Sequence, residues 1–389
     1  MNNKPVFDYP LFSVGFRTFF ALAGLSALAL IALWNTLYKG GLHIEHYYPA
    51  GIWHGHEMLL GYAVAVMAGF MLTAVKHWTG VKIVNQDQLA ALGLLWTYGR
   101  VAPFYAGLLP DVLIALVDFL FLPVLAWFLC RAIVTAGQYR HLAYVGPILL
   151  MALANALIHA QVLGVLADTV SALNLLVGVF VVMIVMLAGK MYPQFVGRAL
   201  SGFIGIRNPL LDVAAIASAT AVFSCLLLNI SGLLLALAAV AALVSNLLRM
   251  VVWYDRRIWF IPLLWVLYAG YGWLLLGFAL LVPAAYALLP PSLALHAFTL
   301  GAIGVLSLGI MARVALGQTG RVVKASNLMT IAFLLINLAA LCRVLLPVAV
   351  ADGWYDNLWQ LASYGWLAAF SLFMFQYTPV LTAADIKAG

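Results

Sequence analysis

The sequence predicts an all-α, polytopic membrane protein with twelve transmembrane helices and both termini cytoplasmic, residues 1–389 forming a single integral membrane domain. Three observations predict it. Of the 389 residues, 66% are hydrophobic and 8% charged, against about 25% charged in a soluble domain, and the mean hydropathy is +1.08. Apolar runs of the roughly 20 residues that cross a hydrocarbon core of about 30 Å recur along the chain. Basic residues alternate between successive loops as membrane orientation requires. A water-soluble enzyme, a nucleic-acid binder and a disordered scaffold are excluded, and the net charge of +7 reflects topology rather than a polyanionic partner.

The spans follow from the charged or Pro/Gly/Asn-bearing breaks, taken in chain order. The first, 18–38, starts after Arg17 and stops at Lys39; lacking a nearby cleavage signal, it reads as a retained span, not a signal peptide. Span 57–75 follows the His54-Gly55-His56 segment and ends at Lys76, and span 89–109 lies between a polar Asn-Gln-Asp-Gln run and Pro110. Spans 111–130, 141–164 and 168–189 are bounded by Arg131, Arg140 and Lys190. The apolar stretch 209–249 divides into 209–230 and 232–249 at Asn229, Ser231 and Gly232, residues suited to a tight turn. The last four are 259–288, 292–312, 327–350 and 357–382.

With the N-terminus inside, sixteen of the nineteen Lys and Arg residues fall on inner segments. Only Lys39 is outside; Arg100 and Arg343 lie within spans. A wrong count would scramble this alternation.

Orientation then assigns depth at about 1.5 Å per residue. His54 and His56 sit at the outer mouth of the second span, with His43 and His46 in the loop before it. His159 lies roughly 8 Å from the outer end of the fifth span, and His296 about 6 Å below the outer surface. Six of the eight histidines thus face outward, leaving His77 and His141 on the inner side. Arg100, Asp118 and Arg343 fall about 10–14 Å deep in the same leaflet. Such charges require partners or ligands in a bilayer. Arg100 and Asp118, at matching depth on consecutive antiparallel helices, can pair. Arg343 has no equally obvious carboxylate, which leaves either snorkelling to headgroups or an anionic cofactor group such as a haem propionate.

Cys130, Cys225 and Cys342 lie in apolar stretches without any C-x-x-C, so neither a disulfide framework nor a thiolate zinc site follows. The ligand chemistry on offer is imidazole, which suits haem iron, copper or zinc. On a continuous helix His54 and His56 point about 200° apart and serve different centres; in an extended lead-in they face one side. A weak echo relates the second and tenth spans: His56, Gly61, Gly69 and Met71 recur at the same spacing as His296, Gly301, Gly309 and Met311. The inner turn Gly317-Gln318-Thr319-Gly320-Arg321 is no phosphate loop.

The blocks Pro10 to Arg17, Trp53-His54-Gly55-His56-Glu57-Met58, Ala68 to Val75, Trp78-Thr79-Gly80, Asn155 to His159, Pro262 to Trp265 and His296 to Arg321 resemble the NnrS family of bacterial membrane proteins along nearly the whole chain. The resemblance implies a twelve-helix, multi-pass inner-membrane protein carrying haem and copper, tied to nitric oxide metabolism and resistance to nitrosative stress. It matches His54, His56 and Glu57 to the family's signature block, His159 and His296 to its other membrane histidines, and Arg17, Arg313 and Arg321 to its inner-face arginines. Gln318 and Tyr268 stand where relatives often have histidine, so an identical metal content does not follow.

The resulting expectation is a haem b protein, with copper as a second cofactor, that meets nitric oxide near the outer leaflet. His56 and His296 are the first candidate ligands and His54 and His159 the next. Arg100 and Arg343 are candidate propionate partners; Glu57, Asp118, Arg17, Gln318 and Arg321 complete the candidate positions. Two other readings stay open: a haem-copper reductase of nitric oxide or oxygen, and a twelve-helix transporter. Membrane lipid is an expected partner, nucleic acid is not, and no redox partner is indicated.

Overall fold

A computed structural model describes residues 6–38, 47–167, 171–350 and 352–385. His43, His46, Lys4, Lys39 and Lys387, used above, lie outside the described residues. The helices are α1 (Gly15–Tyr38), α2 (Ala50–Thr79), α3 (Gln86–Val101), α4 (Asp111–Thr135), α5 (Val145–Val162) and α6 (Ser171–Ala199). They continue as α7 (Pro209–Leu227), α8 (Leu233–Val252), α9 (Pro262–Ala284), α10 (Pro291–Gln318), α11 (Asn327–Val344) and α12 (Tyr355–Thr382). No strand occurs among the described residues.

Eleven of these are long and apolar enough to cross a membrane. The exception is α3, whose 16 residues reach about 24 Å at 1.5 Å per residue; a 3₁₀ turn, Ala102–Tyr105, extends it. Its start is fixed by a capping box, in which Asn85 accepts from the Gln88 amide and the Gln88 side chain accepts from the Asn85 amide. The break between α7 and α8 falls at Asn229 and Gly232, both at positive φ. Two helices outrun the apolar runs that announce them. α2 begins at Ala50 behind Pro49, so His54 and His56 occupy its first two turns, and α6 continues through Lys190 and Pro193 to Ala199.

α2 and α10 share a backbone irregularity. Each opens behind a proline, Pro49 or Pro290, and runs as α-helix to a histidine, His56 or His296. Each then widens into a π-helical segment, Glu57–Ala63 or Ala297–Gly304. Such i→i+5 turns are uncommon and cluster at functional sites. Both helices stop at a left-handed glycine, Gly80 or Gly320. The spacing echo in the sequence therefore has a conformational counterpart.

The chain divides into two compact units: residues 1–176, 311–322 and 370–389, and residues 177–310 and 323–369. In the first, α1 packs along α2, while α4 packs on α3 and α5, around Phe16, Phe19, Phe20, Trp53 and Tyr62. In the second, α8 packs between α7 and α9, with Tyr268, Tyr271, Phe278 and Phe298 buried. Lipid is as apolar as leucine, so close packing and internal polar bonds hold such helices together. The α2 span is 83% buried and α7 only 28%, which makes α2 the natural carrier of a protected site and α7 a lipid-facing helix.

Arg17 shows how the first unit closes. Its buried guanidinium donates through Nη1 to the carbonyls of Leu381 and Ala383 at 2.7 and 2.6 Å, capping the end of α12, and meets Asp385 at 2.6 Å. Helix-terminal carbonyls have no partner within the helix, so this candidate site residue has a structural task. Arg17→Met should destabilise the protein by about 3 kcal/mol, the cost of leaving buried acceptors unmet, with Asp385→Asn nearly silent because Asp385 is exposed. Thermal unfolding in detergent checks both.

Candidate metal centre

Four helices of the first unit bring ionisable groups to one buried place. His56 and Glu57 come from the α/π junction of α2, Arg100 from the last turn of α3, Asp118 from α4, and Asn155 and His159 from one face of α5. Gly99 permits the closeness of α3 and α4: a Cβ there would lie 2.7 Å from Asp118 Oδ1 and 3.2 Å from Asp118 Cα. Any side chain would push apart the helices that carry Arg100 and Asp118.

At the centre is Asp118 Oδ2. His56 Nε2 and His159 Nε2 each stand 3.0 Å from it, and Asn155 Nδ2 donates to it at 3.1 Å. The other carboxylate oxygen meets Arg100 Nη2. Arg100 Nε lies 3.1 Å from Glu57 Oε2, opposed in charge without being aligned as a hydrogen bond, and the guanidinium sits 5.8 Å from the Trp96 ring. His56, Glu57, Asp118 and His159 are all buried.

The outer edges of the two imidazoles are also held. His56 Nδ1 is 3.0 Å from Glu57 Oε1, and His159 Nδ1 is 3.1 Å from the Tyr47 hydroxyl. The Tyr48 hydroxyl lies 3.1 Å from His56 Nε2. Burial, reinforced by Asp111 and Asp118, raises the Tyr47 phenol above its ordinary value; burial with Asp118 and Glu57 does the same to Tyr48. Both stay neutral hydroxyls. When an imidazole donates its Nδ1 proton to Glu57 or Tyr47, its Nε2 presents a lone pair, which is how metal-binding histidines are oriented. His56, Asp118 and His159 offer three ligand atoms all within 4.8 Å of one another.

The remaining candidates fall elsewhere. His54, two residues from His56 on a continuous helix, stacks on Trp34 at 4.3 Å. His296 belongs to the second unit, where its Nδ1 donates to the Ser292 carbonyl at 2.7 Å and its Nε2 meets no partner among the described residues. Arg343, in the same unit, donates to the Tyr355 hydroxyl at 2.8 Å and lies over that ring; it meets no carboxylate among the described residues. Gln318 is exposed, and Arg321 Nη1 is buried without a hydrogen-bond partner among the described residues. Tyr268 donates to the Trp253 carbonyl.

Three members of the cluster were not among the candidate site residues. Asn155 stands four residues before His159 and so shares its helical face, a signal available in the sequence. Tyr47 and Tyr48 carry no periodic signal, being loop residues placed by Pro49 and the start of α2.

Fold and site together define an all-helical, multi-pass membrane protein with a buried His/Asp/His group able to hold a metal ion. The chain belongs to the NnrS family, whose model, described as NnrS protein, matches residues 10–384. That membership fits a nitric oxide-related membrane protein. No curated protein and no solved structure matches the chain.

Proposed function

We propose that this chain is a metal-dependent bacterial inner-membrane protein of the nitric oxide response that limits nitrosative damage, with an ion held by His56 Nε2, His159 Nε2 and Asp118 Oδ2. One observation carries the reading. Two imidazoles, each anchored through Nδ1, aim their remaining nitrogens at a single carboxylate oxygen. With both Nδ1 protons engaged outward, the two Nε2 lone pairs and the carboxylate oxygen repel one another unless a proton or a metal cation lies between them. The donor set of two imidazoles and one carboxylate suits copper or zinc better than magnesium or calcium.

The proposal includes a b-type haem as a second cofactor, and the second unit supports that part of it. His296 is anchored like the other two, with Nδ1 on a backbone carbonyl and Nε2 open. Arg343, in the same unit, donates to the Tyr355 hydroxyl and meets no carboxylate among the described residues. If a b-type haem binds there, His296 would supply an imidazole to its iron and Arg343 a cation for a propionate. When bound, such a metal supplies a coordination position for nitric oxide; the chain's residues hold, orient and seclude it.

The test is a reduced-minus-oxidised optical spectrum of detergent-purified protein, repeated after nitric oxide addition, with iron and copper quantified on the same sample. A b-type signal perturbed by nitric oxide, accompanied by about one copper per chain, is the expected result. Stable protein that holds neither metal after loading overturns the proposal.

A further inference from the structure

At the N-terminal end of α2 a cleft of about 560 Å³ is lined by Leu37, Tyr47, Tyr48, Ile52, Trp53 and Gln161, among others. Its floor is made partly of the two tyrosines whose hydroxyls reach His159 Nδ1 and His56 Nε2. The tyrosines do different things. Tyr47 touches the anchored edge of its imidazole and orients it. Tyr48 touches the nitrogen that faces the ion, from the side on which the cleft lies.

The donor separations give Tyr48 a specific place. In a tetrahedral site with metal–ligand bonds of about 2.0–2.2 Å, neighbouring donor atoms stand roughly 3.3–3.5 Å apart. Here His56 to Asp118 and His159 to Asp118 are 3.0 Å, and Tyr48 Oη to His56 Nε2 is 3.1 Å. All three edges reach tetrahedral values by outward shifts of a few tenths of an ångström. Two uncharged oxygens therefore stand beside the His56 donor, Asn155 Oδ1 at 3.1 Å from within α5 and Tyr48 Oη at 3.1 Å, and of the two only Tyr48 also lines the cleft.

We propose, building on the metal reading above, that Tyr48 is the displaceable fourth donor of the His56/Asp118/His159 site, and that a small neutral molecule reaches the ion through the cleft by taking its place. The ligand class follows from the walls. Apart from Gln161 and the two phenols, the cleft presents apolar side chains, against which an ion would lose its hydration. Beyond Tyr48 an anion would also meet Asp118 and Glu57. A diatomic-sized neutral ligand meets neither obstacle.

The test uses the full-length protein in detergent, loaded with copper(I) and titrated with carbon monoxide, a neutral probe whose bound stretch is read by infrared spectroscopy. Tyr48→Phe keeps the ring and removes the donor, and should form the carbonyl adduct at least tenfold more tightly than the unaltered chain. Ala50→Trp, which fills the cleft, should slow adduct formation at least tenfold without changing copper stoichiometry. Equal carbon monoxide affinity in the unaltered chain and Tyr48→Phe, at one copper per chain in both, overturns the role of Tyr48 and leaves the metal site standing. If Tyr48→Phe does not accumulate, an unchanged adduct rate in Ala50→Trp overturns the route. Copper(I) uptake that His56→Ala fails to reduce overturns the metal reading itself.

Discussion

His56→Ala should lower the affinity of the first unit for its ion by at least a hundredfold, so that protein purified through a chelator wash retains no stoichiometric metal. The size follows from the role. Loss of a mere orienting partner costs about 10–100-fold in metal affinity, and His56 is a donor. The geometry sharpens the comparison across the cluster. His159→Ala should match His56→Ala, because the two nitrogens stand at equal 3.0 Å distances from Asp118 Oδ2. Tyr47→Phe, which removes only the anchor at His159 Nδ1, should cost no more than the orienting range. His54→Ala should leave this ion in place, since His54 stacks on Trp34. Competition titrations against a chelator of known affinity separate these outcomes. His54→Ala stripping the ion as completely as His56→Ala would place the ion elsewhere on α2.

Much of this was legible in the sequence, and the limits have physical causes. Span positions follow from run length, because a bilayer imposes a fixed thickness, and the sided preference of loop charge gives the expected orientation. Depth along the membrane normal came with them, which is why Arg100 and Asp118 could be matched. Lateral position did not. Which helices converge depends on packing in the membrane plane, and there the alternation of loops is silent. His56 could therefore be paired with His296 on the strength of a spacing echo, whereas in the first unit its neighbours are Asp118, Asn155 and His159 from α4 and α5. The divergence of His54 from His56 required only that the helix be continuous. The π segments that follow His56 and His296 were not legible, since an extra residue per turn leaves apolar composition unchanged. α3 is short because the Asn85 cap and the proline at position 103 confine it, a constraint that hydropathy alone smooths over.

Arg100→Leu should be the most destabilising single change in the first unit, by about 3–5 kcal/mol, the usual cost of removing one partner from a buried ion pair. The guanidinium serves two carboxylates at once: it meets Asp118 Oδ1 directly and sits 3.1 Å from Glu57 Oε2. Both acids are buried, at 5% and 1% exposure, and Arg100 is their one arginine or lysine partner among the described residues. Leucine fills part of the volume and abolishes the charge, leaving Asp118 and Glu57, on either side of His56, buried without their arginine. One of them must take up a proton, and the site's attraction for a cation changes with it. Neutralising the acids in turn tests that account. If uncompensated charge is the cause, Arg100→Leu combined with Glu57→Gln should recover a large part of the lost stability, since non-additivity of 0.5–3 kcal/mol is the signature of residues in one network. Metal affinity should not recover in parallel, because Glu57 also holds His56 Nδ1. Denaturation of the single and double variants in detergent, with metal content measured alongside, resolves the two effects. Strict additivity of the two substitutions would show that Arg100 acts by filling space beside Trp96 and not by balancing the acids.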